Sequence, residues 1–495
     1  MKIGREHIIL AVIVILALAL RIYLSSFNSG FDYDSYFALR QAENIKETGL
    51  PLYDDPLSYS GRSLIFPPLF YYLLAGFSLI MPLEWAAKLL PNLLFSGLAI
   101  IVFMISKHLT KNRTAALLAA FFAAFVPIAY STINTVPVTS LSLILAFFLC
   151  YSFLRIDEKG WPTITLIAAI LLLLTESSIF MLLLCFLLFF LILILQQEKP
   201  SLREREMTVF LFFLGLWYHI IIYKKAFFIN GLNVILKNLP APLLSSYFQD
   251  IDFFGLFYAV GVIPLLLGVY AIYHVFFKTK SRAANLFISF AIISFLLLWF
   301  KLIPISTGLL FLSTSIIILS SHSIKNLLVS FSKTKIASRE SMITIVLLVL
   351  FIITTLPPLL ASAHRITPPS EDMHALRWIR ENTPQDSVVF GSVKEGFLIN
   401  YASDRRNVID SNFLFIHNIN QKYADAKALF NLRLKSEAVR LINQYKIDYI
   451  FLSRQSMDDY NITALFYADP DCFEKAYDTT HFGGGIIYKF LGCKI

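Results

Sequence analysis

The sequence predicts a polytopic α-helical membrane protein that carries a C-terminal mixed α/β domain on the extracytoplasmic side. Three observations lead there. Over 495 residues the mean hydropathy is +0.68, with 57% apolar and 15% charged residues, so a bilayer rather than water is the solvent for most of the chain. Basic clusters at Lys2–Arg5, Lys107–Arg113, Arg155–Lys159, Lys199–Arg205, Lys278–Arg282 and Lys325–Arg339 punctuate long apolar runs. The stretch His364–Ile495 has 16 Lys+Arg, 16 Asp+Glu and no long apolar run, which suits one soluble domain.

Because that last stretch is neutral, the whole +9 charge excess lies in the membrane part. There it reports orientation rather than nucleic-acid binding, and the positive-inside rule puts all six clusters in the cytoplasm. Met1–Glu6 is basic, and the apolar run that follows reaches Leu24 without a small-residue cleavage site, so it reads as a retained span. Each interval from Arg113 onward holds two spans of about 20 residues. The outward turns fall at Ser131–Thr139, Thr175–Ser178, Lys224–Asp252 and Lys301–Thr307. Between Glu6 and Lys107 the number of crossings must be even, yet three apolar runs are present. The shortest, Phe66–Met81, opens on Pro67-Pro68 and is expected to lie along the outer surface. With Met342–Leu360 as the last span, about eleven helices cross. The domains are then 1–363, with a first external loop over 28–85, and 364–495 outside.

Within that loop Tyr36, Leu39, Ala42 and Ile45 recur at helical spacing, Gly49 and Pro51 end the pattern, and Asp34 stands at the N-cap position. In the soluble part, helical patterns (Glu371–Asn382, Gln421–Leu432, Lys435–Tyr445) alternate with strand-like runs (Ser387–Phe390, Tyr449–Leu452, Ile486–Phe490). Arg365–Ser370 is the linker. Of four cysteines, Cys150 and Cys185 lie inside apolar runs, whereas Cys472 and Cys493 are able to pair on an oxidising side.

Several outer-face residues are candidates for chemistry, each with a plainer explanation beside it. Asp34 is accounted for by capping alone. Asp32, two residues earlier, is not, and a D-x-D pair is able to share a divalent cation or poise one carboxylate as a base. Glu176 is the lone acid in the short turn TESS between two apolar runs, where a carboxylate is costly unless wetted, paired or functional. Lys88, Lys224, Lys225, Lys237 and Lys301 lie near the outer interface and suit an anionic headgroup, or simply snorkel. Lys301, between Trp299-Phe300 and Pro304, is the favoured phosphate contact. His219, beside Trp217 and Tyr218, fits a packed interfacial histidine as well as a ligand.

The run DYDSYFALR, followed by ETGLP, DDPLSYSGR and FPPLFYYLLA, resembles the GT-C superfamily of polyprenyl-phosphate-sugar-dependent glycosyltransferases, above all the catalytic subunit of oligosaccharyltransferase and its archaeal relatives. The run ENTPQDSVVFGSVKEGFLINYASDRRNVID resembles the part of the family's soluble domain that follows the last span. In that family an acid of the first external loop, ahead of an aromatic-rich helix bearing an arginine, is the catalytic or metal-binding carboxylate. Those places match Asp34 and Arg40, with Asp32 in the other acidic position. The chain departs from the family in four places. The turn STINTVPVTS has no acid where the family carries a second acidic motif, so that Glu176, Asp250 or Asp252 would have to substitute as the second carboxylate; GSVKEG replaces WWDYG; and neither a glutamate motif in Lys224–Asp252 nor an arginine in the Lys301–Thr307 turn is found.

The resemblance implies transfer of a sugar or glycan from a polyprenyl-phosphate or -diphosphate carrier to a protein, glycan or lipid acceptor at the outer face of a cell membrane. Asp34 would act as base or metal ligand with Asp32 as partner and Glu176 as a further carboxylate, while Arg40, Lys301 and His219 would contact substrate. A Mg or Mn ion would be a cofactor only if Asp32 and Asp34 share it. The alternative is a catalytically lapsed member that binds a lipid-linked glycan or a partner protein. A secondary transporter is disfavoured, because no pair of matching Gly/Pro-broken spans is present.

Overall fold

The structure, a computed structural model, describes residues 4–28, 30–247, 253–332, 340–363 and 367–493. The membrane part contains α1 (Arg5–Ser25), α4 (Leu83–Thr110), α5 (Arg113–Ala124), α6 (Pro127–Tyr130), α7 (Thr139–Phe153), α8 (Trp161–Leu173), α9 (Ile179–Leu195), α10 (Leu202–Asn230), α11 (Ala241–Tyr247), α12 (Phe253–Val260), α13 (Val262–His274), α14 (Arg282–Trp299), α15 (Ile305–Ser332) and α16 (Glu340–Ser362). Among the described residues eight helical segments are long and apolar enough to cross a bilayer; α7, α8, α9 and Leu69–Ser78 are apolar but shorter. The outer loop contributes α2 (Ser35–Thr48) and α3 (Leu69–Ser78). At ten residues α3 spans about 15 Å, half the hydrocarbon thickness, so it cannot cross.

α15 is the pillar of the membrane domain. Of its most apolar 18-residue stretch 83% of the residues are buried in the protein, against 17% for α10 and 28% for α1, α16 and the segment Val262–Thr279. A helix surrounded by helices needs small residues, and α15 supplies Ser313, Thr314, Ser315, Ser320 and Ser321, whose hydroxyls return to carbonyls of the preceding turn. Gly268 of α13 crosses so close that a Cβ there would sit 2.7 Å from the Ile316 carbonyl oxygen. Stacked phenylalanines (Phe147 on Phe290, Phe153 on Phe186, Phe122 on Phe351) fill the remaining space.

The soluble domain holds α17 (Ser370–Asn382), α18 (Gly396–Ser403), α19 (Ile419–Asn431), α20 (Lys435–Tyr445) and α21 (Arg454–Tyr460), around a five-stranded sheet of order β4-β3-β5-β7-β6. Its strands are β3 (Val388–Phe390), β4 (Arg406–Asn407), β5 (Tyr449–Leu452), β6 (Phe473–Asp478) and β7 (Ile486–Phe490); β1 (Asp54–Asp55) and β2 (Arg62–Ser63) form a hairpin in the outer loop. β4 and β5 flank β3 in parallel, and β7 and β6 add antiparallel. Cys472 and Cys493 form a disulfide that ties the start of β6 to the chain beyond β7. The linker Arg365–Ser370 is described only from residue 367 onward.

The outer loop is gripped by this domain. Asp410, fully buried, accepts from Arg62 Nη2 at 2.7 Å and from Ser58 Oγ at 2.5 Å. Tyr59 donates its amide to Asn407 Oδ1 (2.6 Å) and its hydroxyl to the Asp410 carbonyl (2.9 Å). Tyr59 and Ser60 sit in the left-handed region (φ 50° and 61°), a cost these bonds offset. α2 packs against α18 through Phe37 on Phe397 and Tyr36 on Tyr401.

At the carboxyl ends of β3 and β5 lie two buried acids. Glu395 accepts from Ser456 Oγ (2.9 Å), the Ser392 amide (2.8 Å) and Ser453 Oγ. Asp372, from α17, faces Glu395 and the backbone amides of Arg454 and Gly485; burial first, and the Glu395 charge second, push its carboxyl up to about 7. A folded-state value above the ordinary 3.8 means the folded protein holds the proton longer than the unfolded chain, so stability present at low pH is lost as pH rises toward and through 7. Asp372→Asn removes that loss, so the melting temperature of the variant should rise relative to the parent between pH 5 and pH 8. Parallel melting curves across that range would contradict it.

Replacing Arg62 by Ala leaves the Asp410 charge buried and unpaired, which costs roughly 3–5 kcal/mol. Thermal denaturation and limited proteolysis of the full chain should show an earlier transition and cleavage in the outer loop. An unchanged melting curve would show that the ion pair does not hold the loop.

Candidate active site at the outer face

The segment Asp32-Tyr33-Asp34 is fixed from three directions. Asp32 donates its amide to the Asn134 carbonyl at 3.0 Å, and its carboxylate accepts from the Ser35 hydroxyl, which itself accepts from the Val136 amide at 2.8 Å. Tyr33 is buried toward the soluble domain, close enough to Glu395 and Asp372 that their charges, after burial itself, push its phenol upward. Asp34 is exposed, and its Oδ1 accepts from Ser411 Oγ of the soluble domain at 2.6 Å.

The capping explanation of Asp34 is overturned. Asp34 does precede α2, but its backbone is already helical (φ −72°, ψ −23°) and its side chain makes no bond to the helix amides. A capping residue needs an extended backbone to turn its oxygen onto those amides, and here the carboxylate points to Ser411 instead. The rest of the local pattern is observed as expected: Tyr36, Leu39, Ala42 and Ile45 are buried, and Gly49 ends the helix at φ 79°.

The second outer turn, which carries Asn134 and Val136, hangs on an arginine inside the membrane part. Arg21 of α1 is 1% exposed. It donates to Asn92 Oδ1 (2.8 Å), the Ala129 carbonyl (2.8 Å) and Thr132 Oγ1 (3.0 Å), and lies over the rings of Phe95 and Tyr130. Asn92 goes on to the Ile133 carbonyl (3.4 Å), and Ser25 donates to Asn134 Oδ1 (3.0 Å). A continuous polar chain thus runs from Arg21 to the Asp32 backbone. Sequence reasoning missed Arg21, although a lone charge near the end of an otherwise apolar span was the available signal.

Arg40 is paired within the protein. Its guanidinium forms a bidentate pair with Asp55 (2.6 and 2.8 Å), which is 2% exposed and also accepts from the Leu57 and Ser58 amides. A guanidinium closed on a buried carboxylate braces α2 against the hairpin.

Glu176 accepts from Ser142 Oγ of α7 at 2.6 Å, in a turn that also receives the Leu69 amide of α3 at the Leu174 carbonyl. Tyr71 and Tyr223 lie within range of its charge. Ser142, which holds Glu176, lies in the first turn of α7, six residues beyond Val136, whose amide bonds the Ser35 hydroxyl beside Asp32. His219 bonds through Nδ1 to the Gly215 carbonyl (2.8 Å) and packs between Phe180 and Tyr223, the arrangement of a packed interfacial histidine. Lys301 sits exposed in the turn between α14 and α15, and Lys88 reaches the Asn28 carbonyl (2.8 Å) at the end of α1. Asp250 and Asp252 lie outside the described residues.

The described protein side chains alone do not complete a divalent-cation site. Among the described residues no three His, Cys, Asp or Glu side chains converge; Asp32 and Asp34 each accept from a serine hydroxyl.

Comparison with known proteins agrees with the architecture. Residues 66–222 match the family of dolichyl-phosphate-mannose-protein mannosyltransferases. The chain is 28% identical over 166 residues to dolichyl-phosphooligosaccharide-protein glycotransferase 1 of Archaeoglobus fulgidus, a match covering 32% of this chain and 28% of that relative, so only about a quarter of the relative's length is represented. The structure of the archaeal oligosaccharyltransferase AglB from Archaeoglobus fulgidus, in complex with an inhibitory peptide and a dolichol-phosphate, superimposes with a TM-score of 0.72 at 14% identity, over 91% of this chain and 70% of that one. ArnT from Cupriavidus metallidurans, bound to undecaprenyl phosphate, gives 0.55 at 10% identity, over 97% of both chains. At 10–14% identity these superpositions show a shared architecture, and the chain has the GT-C fold.

Proposed function

We propose that this chain transfers a sugar or glycan from a polyprenyl-phosphate or polyprenyl-diphosphate carrier to an acceptor at the extracytoplasmic face of a cell membrane, with Asp34 as the general base. The observation that carries this reading is the exposed Asp34 carboxylate, freed from helix capping and held at the boundary between the membrane part and the soluble domain. A lipid carrier presents its phosphate in the plane of the headgroups, so a base for this chemistry has to stand just above that plane. Asp34 follows α1 by nine residues and is tied to the second outer turn through its neighbours Asp32 and Ser35.

In the reaction, the acceptor O–H or amide N–H gives its proton to Asp34. The acceptor atom forms a bond to the sugar's anomeric carbon, and the carbon–oxygen bond to the carrier breaks, its electron pair leaving on the polyprenyl phosphate. No step is routed through a metal ion. Lys301 is the proposed contact for the leaving phosphate and Glu176 a proposed contact for the sugar, while Arg40 is left out of substrate binding because Asp55 holds it. An extracytoplasmic soluble domain accords with the Cys472–Cys493 disulfide, a bond that persists in oxidising compartments.

One observation favours a second reading, that of a non-catalytic binder of lipid-linked glycans: STINTVPVTS, the turn on which Asp32 hangs, contains no carboxylate. One experiment separates the two. The full chain in lipid nanodiscs is incubated with a panel of dolichyl- and undecaprenyl-phosphate and -diphosphate sugars and peptide, glycan and lipid acceptors, and the released polyprenyl phosphate or diphosphate is counted by mass spectrometry. The parent should turn over at least one donor. Asp34→Asn should lose about 100-fold or more of that rate, the scale of a general base, with its melting temperature unchanged. Donor bound without release by the parent, or equal rates for parent and Asp34→Asn, would overturn the transferase reading.

A further inference from the structure

Asp34 belongs to the membrane part, yet one group that bonds it belongs to the soluble domain, 377 residues away. The surroundings of that group are unusual. Ser411 lies between Asp410 and Asn412, and both neighbours bond to the same side chain: Arg62 Nη2 to the Asp410 carboxylate at 2.7 Å, and Arg62 Nη1 to the Asn412 carbonyl. Asp410 in turn accepts from the Asn412 amide at 3.0 Å, so the three residues form one tight turn. Arg62 comes from the same outer loop as Asp34. The contacts therefore close a ring in which the loop holds the serine from both sides through Arg62, and the serine holds the loop's acid.

We propose that Ser411 is a positioning residue for Asp34, aiming the carboxylate at the reacting site only while the soluble domain is docked on the outer loop through Arg62. The proposal rests on Asp34 being the base. An exposed aspartate that does not cap its helix has two torsions to settle, and the rate of a proton transfer depends on their being settled before substrate arrives. A hydroxyl donating to an ionised carboxylate at 2.6 Å supplies that constraint with one of the stronger hydrogen bonds a side chain makes. Ser411 is able to supply it because its own backbone is fixed through Asp410, whose carboxylate is fully buried. The soluble domain is thus part of the active site, and separation of the two domains would disarm it.

Two measurements test this. In the nanodisc assay, Ser411→Ala should lower kcat about tenfold while KM for the donor stays within about twofold, because aim is lost and not binding; Ser411→Thr, which keeps the hydroxyl, should recover to within about threefold of the parent. Asp34→Asn is run beside them. If Ser411→Ala matches the parent while Asp34→Asn is inactive, the positioning role is wrong and the transferase reading stands. Equal loss in Ser411→Thr and Ser411→Ala would also overturn it, since packing and not the hydroxyl would then be at work. A parent that releases no polyprenyl phosphate or diphosphate overturns both.

The second measurement needs no substrate. Asp34→Cys paired with Ser411→Cys should cross-link on mild oxidation of the folded full chain, and adding Arg62→Ala should slow the cross-link several-fold. A cross-linking rate indifferent to Arg62, or no cross-link at all, would show that the ring does not aim residue 34.

Discussion

The arrangement depends on one constraint: a buried carboxylate, Asp410, that must be neutralised from the other half of the molecule. An unpaired charge in that position costs several kcal/mol, so the soluble domain reaches its most stable state only with the outer loop in place. Around that pair gather Ser58, Tyr59 and Asn407, and the same tripeptide that carries Asp410 presents Ser411 to Asp34. Domain docking and the geometry of the candidate base are thereby one event.

A second polar anchor acts from the membrane side. Arg21 has no carboxylate partner among its described contacts; an amide, a carbonyl, a hydroxyl and two ring faces share its charge. A guanidinium suits this role because its donors radiate in a plane and hold α1, α4 and the second outer turn together. Asp32 is fixed to that turn through backbone bonds, so its position follows from the packing of the spans. The two aspartates two residues apart thus answer to different halves of the protein, Asp32 to the membrane bundle and Asp34 to the soluble domain. Tyr33 between them is buried against the latter, near two acids of which one titrates close to neutrality.

What was legible in the sequence was whatever is encoded locally. Apolar runs between basic clusters marked the helices of the membrane part, the spacing of Tyr36, Leu39, Ala42 and Ile45 marked the buried face of α2, and apolar strings such as Tyr449–Leu452 marked strands buried on both faces. Strands with weak patterns were missed: β4 has two residues, and β6 is a mostly exposed edge. The site was legible in its residue types but not in its partners. Asp34 at the start of a helix looks like a cap until the backbone angles show otherwise, and Arg40 looks available until Asp55, 15 residues later, closes on it. Arg62 and Asp410 lie 348 residues apart, and nothing near either one announces the other.

The membrane domain offers no equally exposed carboxylate tied to the soluble domain, among the contacts described, so the central claim is that chemistry happens at Asp34. The most direct measurement is an experimental structure of the full chain in lipid with a polyprenyl-phosphate sugar bound. The account predicts the carrier's phosphate at the headgroup level under the first outer loop, with the sugar close enough that an acceptor hydroxyl about 3–3.5 Å from its anomeric carbon would also reach the Asp34 carboxylate. A carrier seated at the cytoplasmic ends of the helices, or at the outer face with its sugar shielded from Asp34 by protein, would contradict it.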